Sequence, residues 1–338
     1  MVFLCEMIKN QDMAMGIRIL ECRSMDSLSV VPEEIEGLPV LELAPYLFSA
    51  HENHSDASHQ DAFWWRLNSE DMKMGARLED EERLQALLQD ISVLNGNRLK
   101  ELRLPASIQK VGAYAFYNCE MIKRMEFHST TLDWGAGAFT GCQGIQELVI
   151  HVDEERKSCM KEVLAELRQT LLVDYLGKQQ ARLVFSEFFE EAVENTPARN
   201  LSTSVHGCGM KYRNAFVKTQ FQFKEYDTLF PHVQAQESER LVTRLALGRL
   251  RFPYQLAKRH KEVYEQYLAE HCVTAASQAV ERKDMEDLTW LMEHVKYDGE
   301  QLETVIELAG KKNDGEMVSF LMEQKQKIGA VKRKRFRL

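Results

Sequence analysis

The sequence predicts an α+β chain: a short β-solenoid over residues 15–152, a mixed α/β segment over 153–233, a helical-repeat domain over 234–329 and a basic tail over 330–338. Three observations carry this reading. VGAYAFYNC (Val111–Cys119) and WGAGAFTGC (Trp134–Cys142) are nearly the same nine letters at an offset of 23 residues, and a fixed period in the twenties marks stacked coils that share one interior. A second self-similarity, at an offset of 30, aligns ASQAVERKDMEDLTWLMEH from Ala276 with IELAGKKNDGEMVSFLMEQ from Ile306. The composition, 44% apolar and 28% charged over 338 residues, is that of packed domains and excludes wholesale disorder.

The opening MVFLCEMIKNQDMAMG lacks an apolar core behind a basic flank and does not read as a signal peptide. A natural start at Met15, ahead of the strand-like IRILEC, is the alternative to Met1. The repeat is clearest from Leu99 to Ile150. Leu99, Ile122 and Ile145 align, as do Leu102, Met125 and Leu148, and then Leu104, Phe127 and Ile150. Within each copy the L-x-x-L-x-L pattern alternates with period two, so Leu102 and Leu104 point to one face of a short strand. Pro105 cannot donate to a ladder and ends the first strand. Gly112 and Gly135 are expected to turn the chain at positive φ, Ala115 and Ala138 to permit close approach, and Phe116 and Phe139 to fill the interior. Cys119 and Cys142 read as buried apolar positions in register; a disulfide or a metal pair is the alternative.

These residues resemble the BspA-type leucine-rich repeats, whose unit runs approximately as a strand, LP, then I-x-x-I-G-x-x-A-F-x-x-C. LPASIQKVGAYAFYNC follows that pattern closely, whereas the next copy has Ser129 for the proline and Thr131 for the isoleucine. A degenerate earlier copy is visible in VVPEEIEGLPVLELAPYLFSA, with Val31, Pro32, Ile35, Leu43, Leu47 and Phe48 at repeat positions. The resemblance implies a solenoid with short strands on one face and tight turns on the other.

The interval 50–97 interrupts the array. HENHSDASHQD reads as a polar loop and DEERLQALLQDISVLNG as a helix, with Leu84, Leu87, Leu88 and Ile91 on one face and Gly96 at its end. DEERKSCMKEVLAELRQTLLVDYLG, from Asp153, is expected to be a helix capping the last coil. FSEFFEEAVENTPAR reads as helical up to Pro197, and RNLSTSVHGCGMKYRNAFVKTQFQFKEY as a hairpin around a glycine-rich corner. ESERLVTRLALGRLRF and PYQLAKRHKEVYEQYLAEHC are amphipathic, with Pro253 suited to a helix start. The offset-30 pair that follows is similar to ankyrin and related helical repeats, without the ankyrin turn motif. Taken together, the chain resembles leucine-rich-repeat proteins of anaerobic Gram-positive bacteria, a likeness that implies architecture and no activity.

The formal net charge of −9 disfavours a general nucleic-acid binder. No apolar run is long enough to cross a membrane. Seven cysteines from Cys5 to Cys272, with no CxxC pair, are expected to be reduced thiols of a cytoplasmic protein, with no metal or cofactor. His51, His54 and His59 among Glu52, Asp56 and Asp61 are a candidate divalent-metal cluster, and a solvated loop is the simpler reading. Phe63, Trp64 and Trp65 either dock on the solenoid or anchor a partner. Five basic residues among Lys332–Leu338 make a solvated end or a contact for an acidic surface. No P-loop, dinucleotide fingerprint, HExxH or GxSxG motif occurs.

The reading that follows is a non-catalytic protein-interaction scaffold. Its partner-facing residues are the outward strand positions Lys100, Glu101, Arg103, Lys123, Arg124, Glu126, Gln146 and Glu147, whose mixed charge suits a protein better than nucleic acid. The alternatives are an enzyme of unknown class around His206, Cys208, Tyr212 and Arg213, with His206 as base and Cys208 as nucleophile, or a nucleic-acid-associated protein using the basic tail.

Overall fold

The computed structural model describes residues 1–10, 13–50, 61–68, 75–195 and 200–335. The chain forms two compact units, residues 1–180 with 185–222, and residues 181–184 with 223–338.

In the first unit the repeats build two walls. One carries neighbouring strands in the order Leu171–Leu176, Glu147–His151, Arg124–His128, Glu101–Arg103, Leu28–Val30. These five run parallel, and Ser29, Leu102, Met125, Leu148 and Val173 lie side by side across them, all buried. The second wall includes the parallel strands Leu38–Leu43, Lys110–Val111 and Asp133–Trp134. Between them runs the turn ladder. Phe48, Phe116 and Phe139 stack with ring centroids 5.9 and 5.7 Å apart, one ring per coil. Each buried Phe contributes about 1.5–3 kcal/mol, and none finds a dry interior without its neighbours.

The glycines serve a different purpose from the one expected. The left-handed residues of the turn are Tyr114 and Asn118 in one coil and Gly137 and Gly141 in the next. Gly112 and Gly135 are absent from the positive-φ set; they are needed because the coils touch there. A Cβ on Gly112 would lie 2.3 Å from Pro45 N, and one on Gly135 would lie 2.4 Å from Ala113 N. The cysteines of the ladder act alike: the Cys119 thiol donates to the Phe48 carbonyl (3.0 Å) and the Cys142 thiol to that of Phe116 (2.9 Å). All seven cysteines are buried and none forms a disulfide, so the disulfide alternative does not hold. The irregular copy is satisfied locally. Thr131, in the isoleucine position, is buried and donates its hydroxyl to Ile108 O at 3.0 Å, while the Ser129 hydroxyl accepts from Asp153 N at 3.1 Å.

Both ends of the stack are covered by structure that the periodicity did not announce. Val2–Lys9 pairs antiparallel with Met15–Arg23 and with Phe63–Leu67, burying Val2, Phe3, Cys5, Phe63 and Trp65. Val2, Phe3 and Cys5, ahead of Met15, are therefore part of the core, and the FWW cluster docks there, with Arg23 over the Trp64 ring at 5.6 Å. The expected helix of the insertion spans Glu81–Asp90, capped by Asp80 accepting from Arg83 N. It ends at Ile91, so Gly96 does not cap it. Gly96 instead meets Cys119, whose Sγ would be 2.7 Å from a Cβ.

At the far end the single long helix expected from Asp153 is a short helix, Met160–Glu166, followed by the strand Leu171–Leu176. The predicted helix before Pro197 is also a strand: Phe189–Asn195 pairs antiparallel with Asn200–His206. In the first case the parallel neighbour Glu147–His151 overrides local preference, and in the second the hairpin partner, met from Asn200 onward, does so.

The second unit is helical. Pro253 does not start a helix; the one expected there spans Lys258–Glu270. The offset of 30 is visible in the backbone. Lys283 and Asn313 are both left-handed (φ 56° and 54°). Asp284 caps the helix Met285–His294 through Asp287 N (2.8 Å), and Asp314 caps Gly315–Arg335 through Met317 N (3.1 Å). Ala279 and Ala309, like Leu291 and Leu321, are fully buried. A buried ion pair fixes the unit's start. Arg249 holds Asp227 through both carboxylate oxygens (2.8 and 3.0 Å), and Tyr264 donates its hydroxyl to the same Asp227 (2.9 Å).

Candidate interaction surface

Strand alternation puts every second side chain of the parallel sheet outside. Register then sets like positions side by side: Glu101, Arg124 and Glu147 in one row, Arg103, Glu126 and Val149 in the next, His128 and His151 at the end. The structure thus brings the eight predicted outward residues to one wall. Lys100, Lys123 and Gln146 are exposed at the start of each strand, linked by Lys123 N→Lys100 O (2.8 Å) and Gln146 N→Lys123 O (2.9 Å).

The charges on this wall are joined in a lattice. Arg124 lies 3.4 Å from Glu101, 4.0 Å from Glu126 and 3.8 Å from Glu147, and Arg103 lies 2.9 Å from Glu101 and 3.7 Å from Glu126. Each pair is partly exposed and contributes at most about 1 kcal/mol. The lattice therefore orients the side chains more than it stabilises the fold. Alternation fails in the fourth coil, where Leu148, Val149 and Ile150 are all buried, and the polar surface narrows to Gln146 and Glu147.

Two residues of the wall were not singled out from the sequence. His128 and His151 stack with centroids 4.5 Å apart and planes inclined by 14°, although their offset of 23 was a readable signal. Burial, followed by the facing His151, lowers the pKa of His128. The pair borders a cleft at the C-terminal ends of the strands, shared with Thr130, Arg156 and Lys178.

The His206 constellation is not brought together. His206 lies on the exposed hairpin, stacked on Phe189 at 4.7 Å and 3.1 Å from Glu191 Oε2. Cys208, Tyr212 and Arg213 are inside the core. The buried Cys208 thiol contacts Ser186 Oγ at 3.2 Å. Arg213 is structural. Its guanidinium donates to the carbonyls of Leu164, Leu167, Gln169, Ser186 and Gly209, and burial lowers its pKa to about 10. His51, His54, His59, Glu52 and Asp56 lie outside the described residues, as does the end of the basic tail. Among the described residues no group of three or more His, Cys, Asp or Glu is placed to hold a metal, and no helix is long and apolar enough to cross a membrane.

Stacked parallel strands, an in-register aromatic ladder and a tight-turn wall define a β-solenoid of the leucine-rich-repeat class. Within that class, residues 92–165 match the family model of the BspA type leucine rich repeat region (6 copies). Among solved structures the chain is similar to a leucine-rich-repeat protein of T. pallidum, TpLRR, at 20% identity and a TM-score of 0.28, over 51% of this chain and 61% of that one. It is also similar to a leucine rich cell surface protein from Faecalibacterium prausnitzii, at 14% identity and a TM-score of 0.25, over 46% and 33% respectively. The chain thus spans less than two thirds of either protein. No curated protein matches it.

Proposed function

We propose that the protein is a non-catalytic interaction scaffold whose solenoid wall, centred on Arg124, binds a protein partner. The observation that carries this is the in-register wall itself: mixed charges oriented by one another across consecutive coils. Such a wall sets the cations Lys100, Arg103, Lys123 and Arg124 against the carboxylates Glu101, Glu126 and Glu147, a near balance that offers direction-specific pairing and discriminates among protein surfaces better than it attracts polyanions. The helical unit, with its ankyrin-like offset of 30, supplies a second extended surface of the kind helical repeats use.

The test is capture from a native lysate by the full chain and by a double reversal, Arg124→Glu with Glu126→Arg. We expect a specific partner, identified by mass spectrometry and confirmed with purified protein, whose capture falls at least tenfold with the reversal while circular dichroism stays unchanged. Capture that is indifferent to the reversal would sink the assignment of this wall.

A further inference from the structure

The wall ends on a histidine pair that meets the arginine–glutamate lattice through His151, with the His128 ring stacked on it. His128 and His151 close consecutive strands, and the register that aligns the strands also stacks the rings. His151 is anchored, with Nε2 2.8 Å from Glu126 Oε1. Glu126 in turn lies within ion-pair distance of Arg103 and Arg124. His128 is half-buried against this arrangement. Burial and the neighbouring His151 both disfavour its charged form, and Glu126 offsets only part of this.

The other charged groups around the cleft are committed to one another. Arg156 pairs with Asp153 (3.4 Å) and Lys178 with Glu155 (3.3 Å). Glu154 Oε1 accepts from Lys178 N (3.1 Å) and from the Tyr175 hydroxyl (3.2 Å). Behind the strand, the Cys159 thiol points at the His128 carbonyl (3.8 Å), and burial pushes its pKa up to about 12, so it stays neutral. Protonating His128 therefore places a cation directly against the His151 ring.

We propose that the His128–His151 stack is an acid-operated latch on the displayed wall, a regulation that rests on the interaction reading above. Neutral His128 keeps the two rings closed over the ends of the strands. Protonated His128 leaves the stack and opens the cleft.

The experiment is a pH titration of the full chain carrying 13C-labelled histidine, followed by NMR, with the His128 resonance assigned from its loss in His128→Gln. His128 should titrate below an ordinary histidine, and His151→Gln, which can keep a hydrogen bond to Glu126, should move that midpoint upward. Hydrogen exchange, corrected for intrinsic rates, should show the amides of 147–152 losing protection below the midpoint in the wild type and not in His128→Gln. An ordinary midpoint, a midpoint indifferent to His151→Gln, or unchanged protection would each overturn the latch. None of these readouts needs a partner. A face that captures nothing while the titration behaves as stated removes the interaction reading and leaves the paired rings standing. Capture that depends on the wall alongside an ordinary midpoint removes the latch alone.

Discussion

A substitution as small as a methyl group separates two kinds of glycine in this chain. A Cβ on Gly135 would sit 2.4 Å from Ala113 N and 2.6 Å from Gly112 C. Both are backbone atoms of the neighbouring coil, which can yield only if the coils move apart. Gly310, near the end of the helix Gly299–Lys311, is exposed with nothing within 4 Å of such a Cβ. Gly135→Ala is therefore expected to cost about 2–4 kcal/mol, whereas Gly310→Ala should gain about 0.5–1 kcal/mol from helix propensity. Shifts of the chemical-denaturation midpoint check both signs, and a neutral Gly135→Ala would contradict the close stacking of coils. Sequence identified Gly135 as special and assigned the wrong cause. Letters record that side chains are absent, but not whether the backbone needs the angle or the space.

At the scale of elements, what could be read depended on where each element found its partner. Phe116, Phe139 and the two ladder cysteines were legible because the repeat writes the neighbour's residue in the same place 23 letters on. The strand Phe189–Asn195 was not, since FSEFFEEAVEN carries helix-compatible acids that mask the hairpin it forms with the neighbouring Asn200–His206. The segment from Asp153 was misread for a related reason: one amphipathic run is divided between Met160–Glu166 and a strand that extends the parallel wall. Arg213 decides where that short helix stops. It donates to Leu164 O at 2.9 Å and to Leu167 O at 2.9 and 3.1 Å, taking up carbonyls that a helix C-terminus leaves open. Arg213→Lys keeps a cation but cannot span these acceptors with one ammonium, and buried carbonyls left bare cost about 1–3 kcal/mol each. We expect a loss of about 3 kcal/mol or more, with faster exchange of the amides of 160–167. Exchange that stays slow there would mean the helix holds without the guanidinium.

For the whole molecule, the division into two units is not a division of the chain at one point. Residues 181–184 belong with the helical unit although 38 residues of the first unit, 185–222, separate them from Phe223. The attachment is specific. Tyr226 is fully buried, its hydroxyl donates to Val184 O and accepts from Val184 N, each at 2.8 Å, and the helix Glu239–Arg251 meets Arg182 at Gly248, where a Cβ would lie 3.0 Å from Arg182 O. A fragment beginning at Phe223 looks complete by helix count but leaves the Tyr226 hydroxyl without either backbone partner, and with it the apolar seat of Ala181, Leu183 and Val184. A buried hydroxyl stripped of its partners costs about 1–3 kcal/mol, and the exposed apolar area adds to that. Residues 223–338 alone should therefore melt well below the helical transition of the full chain, as followed by circular dichroism at 222 nm. Tyr226→Phe in the full chain should lower the same transition by a smaller amount, because it removes the hydrogen bonds and keeps the packing. A fragment 223–338 that melts with the full chain would show that the strand contributes nothing to the helical unit, and the division would then be a simple cut after Gln222.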